Sequence, residues 1–92
     1  MDRLARVRVR VYGRVQGVGF RVFARGKALA RGLTGYVRNL SDGSVEACAE
    51  GFREDIQAFI SDLRAGPRFA SVERVDVEWE EFRGEFVSFQ IR

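Results

Sequence analysis

Three observations on these 92 residues predict an α+β sandwich. Short runs alternate apolar and polar residues with period two, two longer runs repeat with helical period, and the runs follow the order β-α-β-β-α-β. Two right-handed βαβ crossovers with interleaved strands close into a ferredoxin-like βαββαβ sandwich. The expected sheet is mostly antiparallel, with two helices on one face and an extra short C-terminal strand. The other sheet face is expected to meet solvent.

The first strand is read from Ala5 to Tyr12, with Ala5, Val7, Val9 and Val11 on one side and Arg6, Arg8, Arg10 and Tyr12 on the other. A loop from Gly13 to Gly19 follows. A helix over Arg21–Arg31 comes next, with Val22, Phe23, Gly26, Leu29, Ala30 and Leu33 expected on its buried face and Gly32 suited to its C-terminus. Thr34–Asn39 reads as the second strand. Ser41-Asp42-Gly43-Ser44 is a hairpin turn marked by its Asp-Gly pair, and Val45–Glu50 returns as the third strand. The second helix carries Phe52, Ile56, Phe59, Ile60 and Leu63 at helical spacing and stops at Gly66-Pro67. Val72–Glu80 and Phe86–Ile91 complete the strands.

In this topology the first strand lies between the third and fourth. Its outward Arg6, Arg8 and Arg10 then oppose Glu46 and Glu50 on one side and Asp76, Glu78 and Glu80 on the other. Opposite charges across neighbouring strands are worth roughly 0.2–1 kcal/mol per pair. The arginine stripe thus has a structural explanation without a nucleic-acid partner. Trp79 and the eight phenylalanines read as core, and Cys48 as a small strand residue whose outward position could allow an intermolecular bridge.

Composition narrows the chemistry. The net charge is +3 from 16 basic and 13 acidic side chains, a small and interspersed excess. No apolar run approaches the roughly 20 residues that span a bilayer. Met1-Asp2-Arg3-Leu4-Ala5-Arg6 lacks the apolar stretch of a secretory leader, so a cytoplasmic single domain over residues 1–92 is expected, with no membrane partner. There is no histidine and one cysteine, which excludes zinc sites built on those ligands and Cys/His or Ser/His catalysis.

Gly13-Arg14-Val15-Gln16-Gly17-Val18-Gly19-Phe20-Arg21 joins a strand to a helix. Glycines let such a loop curl, so that successive backbone N–H groups turn inward as an anion nest. The loop leads into a helix N-terminus, whose unpaired N–H groups and dipole favour an anion. Arg21 falls in the first helical turn, against the dipole, where a bound anion would reconcile the two charges. On spacing alone, a plain loop and a surface arginine explain these residues equally well. Asn39, the only asparagine, ends a strand that runs parallel to the first, so it reaches the same sheet edge as the loop. It can be a turn residue before Asp42-Gly43, or its amide can orient a water.

GRVQGVGFR (13–21) and GYVRNLSDGSVE (35–46) resemble the two signatures of the acylphosphatase family. Residues 50–67 and 70–81 are similar too, so the resemblance covers nearly the whole chain. It implies metal-free, cofactor-free hydrolysis of a small acyl phosphate to a carboxylate and inorganic phosphate. It implies a phosphate loop of Val15, Gln16, Gly17, Val18, Gly19 and Phe20, an essential Arg21 and a water-orienting Asn39. Inorganic phosphate or sulfate is then expected as product or inhibitor, and the protein is expected as a monomer. Phe52 stands where many relatives carry proline, and Cys48 stands at a position often apolar; neither touches the motifs.

The implied chemistry suits these residues. The carboxylate leaving group needs no strong acid, and phosphoryl transfer rests on positioning and charge stabilisation. Three other readings fit parts of the sequence. An RNA-binding module of this fold would stack bases on aromatics of its central strands, and residues 44–50 have none. A domain acting on carbamoyl phosphate, as in hydrogenase maturation proteins, would continue into further domains, and the end at Arg92 favours a free-standing enzyme. A non-catalytic anion sensor would bind phosphate without turnover.

Overall fold

A computed structural model describes residues 3–92; Met1 and Asp2, part of the segment read as lacking a leader, lie outside the described residues. The chain runs β1 (Leu4–Arg14), α1 (Phe20–Ala30), β2 (Thr34–Asn39), β3 (Val45–Phe52), α2 (Arg53–Ala65), β4 (Ser71–Glu80) and β5 (Phe89–Ile91). The sheet order is β4-β1-β3-β2-β5. β1 pairs antiparallel with β3 and β4, β2 antiparallel with β3, and β5 adds in parallel to β2. This is the expected βαββαβ sandwich with its extra strand at the β2 edge. No helix among the described residues is long and apolar enough to cross a membrane.

The core follows from alternation. Val7, Val9 and Val11 are fully buried beneath the helices, with Ala47 and Ala49 beside them on β3. α2 seals this sheet centre with Ile56, Phe59, Ile60 and Leu63, the stripe read from sequence. Phe52 does not belong to that stripe. It sits at the N-cap position with extended backbone and an exposed side chain, because β3 continues to it before α2 begins.

The buried face of α1 differs from the expected one. Phe20, Ala24 and Ala28 point inward, one per turn, while Val22 is 70% exposed and Leu29 is also exposed. Counting large apolar residues favours Val22 and Leu29. The sheet selects otherwise: α1 packs over β2 and β5, and the two alanines bring its backbone close to them, with Phe20 filling the end.

The second sheet face is not left to water as expected. β4 and β5 lie at opposite edges, so the connection over residues 81–88 must cross the sheet. It does so on the charged face, which is why only Phe89–Ile91 of the expected Phe86–Ile91 strand is paired. The expected facing of opposite charges is observed, in a register that sets Arg6 opposite Glu50 and Glu80, and Arg10 opposite Glu46 and Asp76. Under the crossing segment Arg6 and Glu50 are buried, and Glu46 is buried further along β3 among Arg8, Tyr36 and Arg38. Arg6 Nη1 lies 3.2 Å from Glu50 Oε2, and Arg6 Nε donates to Glu80 Oε1 at 2.9 Å. The backbone N–H groups of Arg83, Gly84 and Glu85 donate to the Glu50 carboxylate at 2.7, 3.2 and 3.2 Å. Burial by itself would raise the Glu50 pKa; these donors and Arg6 outweigh it and hold the carboxyl below its usual range.

Two further expectations are corrected. Cys48 stays on the outer face, between Glu46 and Glu50 on β3, but is fully buried and so not accessible, and desolvation pushes its thiol pKa up. Not all phenylalanines are core: Phe20, Phe59 and Phe89 are buried, while Phe52, Phe69 and Phe82 are exposed.

Candidate active site

The site lies where β1, α1, β2 and β5 meet at one edge of the sheet. Val15 is buried and ends the descent from β1. Gly17 and Gly19 follow with φ of 74° and 76°, left-handed values that glycine adopts without steric cost. Gly19 occupies the N-cap position of α1, and its carbonyl accepts the first helical bond from Phe23 N–H at 3.0 Å. No side chain caps this end and the first turn holds no acidic residue. The N–H groups of the first turn are therefore left for solvent or an anion. Arg21 stands exposed in that turn and forms no ion pair among the described residues.

Asn39 comes from the opposite side as the last residue of β2. The hairpin after it closes as read from sequence, with Leu40 N–H donating to Ser44 O at 2.9 Å and Ser44 N–H to Asp42 Oδ1 at 2.9 Å. The Asn39 Oδ1 atom is buried and has no hydrogen-bond partner among the described residues. A buried amide oxygen without a partner costs about 1–3 kcal/mol, so its retention calls for an explanation.

Val15, Gly17, Gly19, Phe20, Arg21, Val22, Asn39 and Ile91 enclose one cavity of about 190 Å³. Size does not single it out, since a hollow of about 360 Å³ lies among Leu4, Phe52, Phe82 and Phe86. Its composition does: it is lined by two left-handed glycines, a helix N-terminus, a guanidinium with no ion-pair partner and an amide oxygen with no hydrogen-bond partner among the described residues. Six of the eight residues expected at the site therefore meet there.

Gln16 and Val18 do not line the cavity. Gln16 turns away, and its side-chain amide donates to Leu40 O at 2.8 Å and Ser44 O at 2.9 Å, tying the loop to the hairpin that carries Asn39. Val18 packs against the core. Val22 and Ile91 line the cavity without having been expected there. Val22 reads as a core residue of the helix, and the place of Ile91 depends on β5 docking beside β2, with Arg92 N–H donating to Val37 O at 2.9 Å.

The fold and this cavity define an α+β sandwich with an anion-suited pocket at a strand-to-helix loop. The acylphosphatase family profile matches residues 7–91. An acylphosphatase of Thermus thermophilus is 55% identical over 74 residues, which are 80% of this chain and 84% of that protein. The crystal structure of acylphosphatase from Bacillus subtilis superposes with a TM-score of 0.93 at 38% identity, covering 98% of this chain and 99% of that one. Full-length HypF, solved in a phosphate- and nucleotide-bound form, contains a region that covers all of this chain with a TM-score of 0.87 and 27% identity, 12% of its own length. The chain belongs to the acylphosphatase family, whose members hydrolyse acyl phosphates. It is accordingly an enzyme acting on a small-molecule acyl phosphate.

Proposed function

We propose that this domain hydrolyses its acyl phosphate by direct attack of water on a phosphoryl group held by the loop Val15–Phe20 and Arg21, with Asn39 orienting the water. The observation that carries this reading is Asn39, which lines the cavity together with Gly17, Gly19 and Arg21 and whose buried Oδ1 has no partner among the described residues. The loop N–H groups and the α1 N-terminus bind the phosphoryl oxygens, and the Arg21 guanidinium spans two of them. These donors stay in place while charge redistributes in the transition state.

Asn39 Oδ1 accepts a hydrogen bond from the attacking water and turns its lone pair toward phosphorus. The new P–O bond forms opposite the P–O bond to the carboxyl oxygen, which breaks and leaves with the electron pair as carboxylate. A carboxamide is too weak a base to take the proton, so that proton passes to a phosphoryl oxygen and leaves with inorganic phosphate. Phosphate and sulfate compete for the same cradle. In this reading residues 1–92 act as one domain, as a monomer, in the cytoplasm and without metal or other cofactor.

Hydrolysis of benzoyl phosphate in excess EDTA tests the proposal. Arg21→Ala is expected to lose turnover and phosphate inhibition together. Asn39→Ala is expected to lose about 10²–10³ in kcat with phosphate inhibition kept. Parental turnover by Asn39→Ala would remove Asn39 from the mechanism. The likeness to part of HypF favours one second reading, a preference for carbamoyl phosphate; its kcat/KM measured beside that of acetyl phosphate decides between them.

A further inference from the structure

Two apolar side chains stand in the open at the mouth of the phosphate cavity. Val22 is 70% exposed in the first turn of α1, and Ile91 is 40% exposed on β5. They come from distant parts of the sequence, and neither belongs to the core cluster, which their neighbours Phe20, Ala24 and Phe89 join. Single exposed apolar residues are ordinary. Here two converge on a cavity whose polar wall is accounted for by the phosphoryl group. The lining contains no carboxylate, and Arg21 is its only charge.

We infer that Val22 and Ile91 form the acyl-binding side of the site and select acyl phosphates with uncharged, apolar acyl groups over small polar ones. This rests on the proposed phosphate cradle, which anchors one end of the substrate. With the phosphoryl group against Gly17, Gly19 and Arg21, the acyl group attached to it has only the remaining part of a 190 Å³ cavity and its rim. Val22 and Ile91 share that rim. An apolar acyl group there withdraws both side chains from water. A carbamoyl or other polar group leaves them as exposed as before and loses its own hydration against them. Ile91 can serve only because β5 runs parallel to β2, which brings its C-terminal residue to the same end of the sheet as Asn39.

The test compares kcat/KM for benzoyl and acetyl phosphate in the parent, Val22→Ser, Ile91→Thr and the double variant. Such contacts are worth about tenfold or more in discrimination. The benzoyl-to-acetyl ratio is expected to fall about tenfold in the double variant, with inorganic phosphate still competing. Val22→Lys provides an arm that does not depend on loss: it should raise kcat/KM for succinyl phosphate relative to benzoyl phosphate. Equal losses on both substrates, or an unmoved succinyl ratio, would overturn the acyl assignment while leaving the cradle intact. Failure of phosphate to compete in the parent would instead refute the cradle, and this inference with it.

Discussion

The side-chain amide of Gln16 donates to the carbonyl of Leu40 at 2.8 Å, so a residue of the glycine loop grips the turn that follows Asn39. The same nitrogen reaches Ser44 O at 2.9 Å. The two halves of the site, on β1–α1 and on β2–β3, are thereby joined by one polar side chain that does not line the cavity.

Replacing this tether should separate position from stability. Gln16→Ala is expected to lower kcat about tenfold, since small displacements of reacting groups are costly, and to cost about 1–3 kcal/mol in unfolding. Gln16→Glu places a carboxylate against two carbonyl oxygens and should do more harm near neutral pH than the alanine variant. It should recover partly as acid protonates it and restores a donor. Steady-state rates across pH, set beside thermal melts, read both effects.

The two glycines of opposite role on α1 make a paired test. Gly19 has φ of 76° and open space around the position of a side chain, so Gly19→Ala meets backbone strain alone. It should lose about 1–2 kcal/mol of stability and weaken phosphate inhibition. Gly26, exposed inside α1 with similarly open surroundings, needs no such freedom. Gly26→Ala should gain about 0.5–1 kcal/mol with unchanged kinetics. Urea unfolding of the two variants should therefore move in opposite directions.

The buried Arg6–Glu50 pair sets an acid limit. Folded Glu50 titrates below its ordinary value of 4.5, and Glu46 and Glu80 are lowered as well. Their contribution is therefore complete above that ordinary value and is lost as pH falls through the lower folded values. Urea midpoints should stay nearly level from neutral pH to about 5 and drop below about pH 4. Glu50→Gln should cost about 3 kcal/mol at pH 7, because it leaves Arg6 buried with one fewer partner and weakens the hold on residues 83–85. Its midpoint should fall less steeply in acid than that of the parent.

Arg21→Lys keeps the charge and removes the fork. A lysine ammonium binds phosphate as a point charge and cannot span two oxygens of one phosphoryl group. If Arg21 acts as proposed, kcat/KM should fall by at least about tenfold while phosphate still inhibits weakly, a milder defect than that of Arg21→Ala. Inhibition constants for phosphate in the three proteins supply the comparison.

The period-two and helical patterns were enough to determine the strand and helix order, the inward valines of β1, the α2 stripe and the Asp-Gly hairpin. They also placed the arginines of β1 opposite Glu50, Glu46 and Glu80, because pairing order and alternation follow from local pattern once the topology is chosen. The loop Gly13–Gly19 with Arg21, and Asn39, could be singled out as candidates, since glycine spacing and a lone asparagine are local facts, but the bounds Val15–Phe20 and the roles were implied by the family resemblance. Only the tertiary structure decided which face of α1 is buried, for that depends on the room left above β2 and β5 rather than on side-chain size. The path of residues 81–88 was equally hidden: β4 and β5 had to be known to lie at opposite edges before the chain between them could be seen to cover Arg6 and Glu50. Gln16 as a tether, and Val22 and Ile91 at the rim, belong to the same class, because a side chain's partner across the fold is set by packing among distant segments and leaves no periodic trace in the sequence.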